Sequence, residues 1–322
     1  MSATGTLAPA WERMKALLFP FDISSWLSIG LMVFLVTLGV NSQWNSVNLT
    51  GQLPGRLASN STQTAIESGE LAAKLDALLS ENIGLLLGIG IPVTVIVLGL
   101  MVLFVWLSVR GQLMLAWSVA TGNLHVSQAW NATRPHTGSL FKYRLTIELV
   151  CVALTMVGLF TIVLATYRLI KHQSAEVSVY LLTLGPIVIA WVLLMLVPTL
   201  LLILLESFAI PVMLREGTTA SAAMRKVSGL FKQHLGSVIG YLFLRYFIRF
   251  AAALAVFVAT LITCCLAGLP VIGQALFAPF FVFERAWPMM MLKSVGPEWD
   301  PFAPEPPAGA GPSGTVAFEP LY

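Results

Sequence analysis

The chain has 322 residues, of which 57% are hydrophobic and 10% charged, with a formal net charge of +3. A soluble domain carries about a quarter charged residues, so this chain lacks the charge to cover a water-facing surface, and lipid must surround much of it. The small, scattered positive charge gives no footprint for nucleic acid.

A segment over residues 1–22 mixes apolar residues with Arg13 and Lys15 and reads as a cytoplasmic interfacial segment. These residues carry Glu12, Arg13, Lys15 and Asp22, and no small-residue cleavage pattern follows the first apolar run after them, which reads as a retained first span rather than a signal peptide. A helix needs about 20 apolar residues to cross the hydrocarbon core. The uncharged stretch from Ile23 to Val40 gives span one, and Asn82 to Val109 gives span two. Between them, the outer loop 41–81 is rich in Ser, Thr, Asn and Gln, and places Leu71, Leu75, Leu78 and Leu79 on one helical face. Span three runs over Leu149 to Tyr167 and extends back to Phe141 by taking in Arg144 and Glu148. Span four covers Val177 to Leu205, with Pro186 and Pro198 as expected kinks. The apolar block from Leu235 to Phe283 is too long for one helix, and Gly268-Leu269-Pro270 is its best turn. This yields a fifth span ending near Leu266 and a sixth starting near Pro270. Residues 296–322, rich in Pro, Gly and Ala, read as a disordered tail.

The basic residues set the orientation. Twelve Lys and Arg residues flank the spans on the side of the N-terminus, and four (Arg56, Lys74, Arg168 and Lys171) lie on the other side. The positive-inside rule then places both termini in the cytoplasm. The expectation is thus an all-α integral membrane bundle of six spans over residues 23–295, with interfacial helices on the cytoplasmic face. Three short segments mixing apolar and polar residues, Pro9–Lys15, Gln128–Ala132 and Ala222–Lys226, each precede an odd-numbered span and suggest an internal repeat. Such repeats speak to architecture more than to function.

Ionisable groups inside apolar runs are the main functional pointers in a membrane chain. Here they are Arg144 and Glu148 in span three, Glu206 at the end of span four, and Arg245 and Arg249 in span five. Each of the pairs 144/148 and 245/249 is spaced by four and shares a helix face. All five are expected in one network between spans three, four and five, either as structural ion pairs or as a site for an anionic headgroup or proton-coupled solute. His125, His136, His172 and His234 read as loop residues without metal-ligand spacing, and Cys151, Cys264 and Cys265 as small packing residues. No Walker loop, dinucleotide fingerprint or nucleophile elbow occurs. The chain therefore reads as no enzyme, without cofactor or metal. Its expected partners are the lipid bilayer and another protein or a second copy.

The stretch Pro211-Val-Met-Leu-Arg-Glu216-Gly217, followed by Ala223-Met-Arg225-Lys226-Val-Ser228, resembles a pattern in the membrane domain of glycerophosphoryl diester phosphodiesterases. One residue more separates Lys226 from Ser228 than in that pattern. The resemblance, carried by Pro211, Glu216, Gly217, Arg225 and Lys226, implies a bacterial inner-membrane protein. It implies no activity, because catalysis in that family belongs to a soluble domain without counterpart in these residues. Two functions follow as expectations: a non-catalytic membrane scaffold or accessory module, or a small-solute transporter or channel.

Overall fold

An aspartate and a threonine cap the starts of two helices, and a glycine ends a third. The structure, a computed structural model, describes residues 2–38, 83–171, 177–262 and 271–302. Its first helix, α1 (Leu7–Leu18), buries Ala10, Met14 and Leu18 along one stripe. Asp22 then caps α2 (Ile23–Thr37), its carboxylate accepting the backbone N–H groups of Ser24 and Ser25 at 3.3 and 2.9 Å. The charge-poor run from Ile83 forms α3 (Ile83–Thr121), and a short α4 (Val126–Ala132) leads into α5 (Arg134–Lys171). α6 (Val177–Leu204) carries Pro186 and Pro198 and passes through a π-helical turn, Leu205–Ala209, into α7 (Ile210–Glu216). Gly217, at φ +65°, ends that run in the left-handed conformation that glycine adopts most readily. Thr219 caps α8 (Ala220–Gln233), followed by α9 (Leu235–Ile262), α10 (Ile272–Leu276) and α11 (Ala278–Lys293). Among the described residues every regular element is helical.

Four helical runs are long and apolar enough to cross a membrane: Pro92–Thr121, Arg134–Arg168, Leu182–Glu216 and Leu235–Ala259. α2 is apolar but shorter. The expected sixth span is not one helix among the described residues. Its first part breaks at Phe277, and α11 carries Glu284 and Arg285 in mid-helix, where the sequence places them after a span. The Gly268-Leu269-Pro270 turn and the outer loop 41–81, with its leucine face, lie outside the described residues, as do Cys264, Cys265 and His172. Three further expectations change. Spans two, three and four belong to helices that run on to Thr121, start at Arg134 and continue to Glu216. His136 lies inside α5 rather than in a loop. The first residues of the expected disordered tail are folded: Pro297–Trp299 form a 3₁₀ turn, and the Phe302 ring lies under the Arg13 and Lys293 cations at 5.1 and 5.6 Å. A cation over an aromatic face is attracted by the ring quadrupole, which is reason enough for this segment to stay down.

The long helices divide along their length. In α3 the large side chains from Val93 to Phe104 are mostly exposed, whereas Val105, Val109, Leu113 and Met114 are buried. α5 and α6 behave alike, with Leu149 to Leu164 and Leu182 to Val197 facing outward, and Leu140 and Leu202 to Met213 facing the core. The apolar ends that face outward are stable only against lipid or another apolar surface. The buried ends form a base together with α1, α2, α8 and α11, centred on Met14, Met32, Leu113, Phe208, Tyr241 and Trp287. Helices approach closely there because glycine removes the side chain at the contact. A Cβ on Gly111 would meet the Val36 nitrogen at 2.7 Å, and one on Gly30 would meet the Val271 oxygen at 2.8 Å.

Polar groups fasten the N-terminus to this base. Arg13 donates to the carbonyl oxygens of Val119 and Ala120 at 3.0 and 2.9 Å, satisfying acceptors left open at the end of α3. The Trp287 indole N–H donates to the Ala3 carbonyl at 3.0 Å. Arg110 is buried with its guanidinium 4.2 Å from the centre of the Trp130 ring and 5.5 Å from that of Trp106.

Candidate functional site: a buried arginine–glutamate layer

Five helical runs each contribute a polar side chain at the same distance from their base ends. Gln112 lies nine residues before Thr121, Arg144 ten after Arg134, Glu206 ten before Glu216, Arg245 ten after Leu235, and Glu284 nine before Lys293. At 1.5 Å per residue this is a level about 14 Å from those ends. The equal spacing puts the groups within reach of one another, although the chain separates them widely.

One half of the layer centres on Glu206. Arg144, 1% exposed, donates from Nε to Glu148 Oε1 at 2.8 Å, one helical turn along α5. Its Nη1 lies 3.4 Å from Glu206 Oε1, and the Gln112 amide donates to that same oxygen at 2.6 Å. Glu206 sits in the π turn, whose extra residue per turn shifts the facing of the helix at this point. The other half centres on Glu284. It accepts from Arg245 Nε at 3.1 Å and pairs with Arg249, both donors coming from one face of α9. Arg245 also donates to the Ser207 hydroxyl at 2.5 Å, and the Tyr241 hydroxyl donates to the same oxygen at 2.9 Å. Arg285 joins the halves, its guanidinium donating to the Glu206 carbonyl oxygen at 2.5 Å.

The structure brings Arg144, Glu148 and Glu206 together, and places Arg245 and Arg249 on the far side of the same layer. The arginines of α9 take Glu284 as their carboxylate rather than Glu206. Sequence reasoning missed Glu284, Arg285, Gln112, Ser207 and Tyr241. Glu284 and Arg285 stand at the point where the apolar run ends, and so read as a flank. Gln112, Ser207 and Tyr241 are neutral and make little contrast with their surroundings.

Pro211, Glu216, Gly217, Arg225 and Lys226 do not reach this layer. Pro211 is buried in the first turn of α7, Glu216 ends that helix, and Gly217 turns the chain. Lys226 pairs with Glu216 across the corner and lies 4.8 Å over the Trp299 ring. These residues build a helix–helix corner at the base. Among the described residues no cluster of three or more His, Cys, Asp or Glu could hold a metal ion.

A family model matches residues 1–296, and it describes a family of unknown function, DUF7544. No curated protein and no solved structure matches the chain. The match lends no support to the resemblance of Pro211–Ser228 to the phosphodiesterase membrane domain. With all but the last residues covered, the chain belongs to DUF7544.

Proposed function

From membership of a family without assigned activity, we propose that the chain is a non-catalytic integral membrane module that scaffolds a partner protein or organises lipid. It crosses the inner membrane of a bacterium six times, with both termini in the cytoplasm. The four long helices, α2 and the α10–α11 pair supply the crossings. The observation that carries the proposal is the layer itself: its three carboxylates, from α5, the π turn and α11, each have an arginine partner on α5 or α9. Such pairing ties together helices whose apolar ends are mostly exposed, which suits a rigid platform. A buried ion pair often contributes little net stability, but it specifies one arrangement, since a mispaired charge in a dry interior is costly.

The second function, a small-solute transporter, is favoured by a cavity beside the layer lined by Gln112, Glu206, Arg245 and Arg249. Its volume of about 40 Å³ is small for a transport route. The two functions separate in proteoliposomes. A scaffold should show no solute flux that depends on the layer, and exchanging the charges of Arg245 and Glu284 should restore folding that each single change impairs. Flux lost on Arg245→Gln in a protein that still folds would overturn the scaffold in favour of the transporter.

A further inference from the structure

The cavity beside the layer is lined by more guanidinium groups than carboxylates. Three guanidinium groups, those of Arg245, Arg249 and Arg285, line it against two carboxylates, Glu206 and Glu284. Both carboxylates are already engaged. Glu284 is shared by Arg245 and Arg249, and Glu206 takes the Gln112 amide and faces Arg144. Arg285 spends its contact on a carbonyl oxygen rather than on a carboxylate.

Gln112 supplies the second requirement. It is 1% exposed, its N–H group is committed to Glu206, and its Oε1 has no hydrogen-bond partner among the described residues. A buried acceptor left open costs about 1–3 kcal/mol, so an occupant that donates to it is favoured. The occupant must therefore accept from guanidinium groups and donate to an amide oxygen at once. Water does both but brings no charge to set against the third guanidinium, and a halide accepts only. A cation is repelled by the arginines. Size narrows the choice further, because a single water needs about 10–15 Å³, and about 40 Å³ holds roughly three or four non-hydrogen atoms.

We propose that this cavity binds a small protonated oxyanion of the hydrogencarbonate class. Its planar O–C–O edge matches the guanidinium fork, and its O–H group donates to Gln112 Oε1. The site goes beyond the scaffold role and depends on neither function above, since a bound anion can serve as a fixed structural part.

The test uses the full chain in nanodiscs of neutral phosphatidylcholine, titrated with ¹³C-labelled hydrogencarbonate by NMR and calorimetry. Saturable one-site binding is expected. Nitrate, formate and chloride, which lack the O–H donor, should bind at least about tenfold more weakly, the equivalent of one unmade hydrogen bond. Gln112→Met should erase that preference while retaining anion binding, and Arg285→Gln should abolish binding. Both variants are scored at wild-type helix content, and the wild-type titration is decisive without them. Absence of saturable binding to the folded wild type would overturn the site, leaving water as its only occupant. Equal affinity for hydrogencarbonate and formate would overturn the role given to Gln112.

Discussion

At the scale of single residues, burial decides which ion pairs matter. Glu284 is 12% exposed and holds two arginines, whereas Glu216 and Lys226 pair with side chains 27% and 41% exposed. Removing one partner of a buried pair leaves an uncompensated charge in low dielectric. Glu284→Gln should therefore cost about 3–5 kcal/mol of stability in detergent, measured by chemical unfolding. Glu216→Gln, at a pair open to solvent, should cost about 1 kcal/mol or less. Equal losses would show that the layer is more hydrated than its geometry implies. Asp22 adds a pH dependence of its own. The Ser25 hydroxyl, at 2.7 Å, and the Ser25 and Ser24 N–H groups hold its carboxyl below the ordinary carboxylate value. A carboxyl depressed in the folded state contributes stability above its unfolded pKa, and loses it as pH falls through the folded value. Stability at the start of α2 should thus decline on acidification below the ordinary carboxylate range. Asp22→Asn should flatten that decline in helix content followed by circular dichroism. The charged half of the layer was legible because Arg144, Glu148, Arg245 and Arg249 interrupt apolar runs. The pairing was not, because Glu284 shows itself as a partner only once α11 is known to continue past it.

At the scale of elements, close packing rests on glycines that face neighbouring chain. Gly111 meets backbone of α2, with the Val36 nitrogen and the Met32 oxygen at 2.7 and 2.8 Å from where a Cβ would stand. Backbone of a capped helix has no rotamer through which to yield. Gly158 instead meets the Trp191 ring, at 2.2 Å from Cδ1. Gly111→Ala should therefore cost about 1–3 kcal/mol by overpacking, with no side-chain change on α2 able to restore it. Gly158→Ala should be rescued by Trp191→Leu, which removes the ring that the new methyl group strikes. Thermal unfolding of the two single variants and the double variant checks this, and failure of the rescue would mean that α5 and α6 meet differently. The helices themselves were legible from their apolar lengths and their caps. Their ends were less so, because hydropathy falls before a helix stops: α3 runs on through Arg110 to Thr121, and α5 begins at Arg134, ahead of its apolar run. Tertiary burial sustains those charge-bearing turns, and a window on one strand of sequence cannot register it.

At the scale of the whole molecule, length separates two roles within the same helices. α3 has 39 residues and α5 has 38, about 58 Å of helix against a hydrocarbon core of about 30 Å. About half of each helix exceeds what a perpendicular crossing requires. The excess coincides with the buried base, where Arg13, Arg110 and the short helices α1, α4 and α8 gather. Twelve flanking basic residues lie on the N-terminal side of the six proposed spans and four on the other, and under the proposed topology that imbalance would turn the base toward the cytoplasm. The prediction concerns sidedness. In a background with Cys151, Cys264 and Cys265 replaced by Ser, single cysteines at Ser228 on the exposed face of α8 and at Ser61 in the expected outer loop should report from opposite sides. An impermeant maleimide added to intact cells should modify Ser61→Cys and leave Ser228→Cys unmodified until the membrane is opened. Modification of both from outside would break the even number of crossings, and with it the reason for placing the polar layer in the inner half of the membrane. Protection of both would mean that residue 61 does not face the periplasm, and would overturn the crossings assigned to α2 and α3.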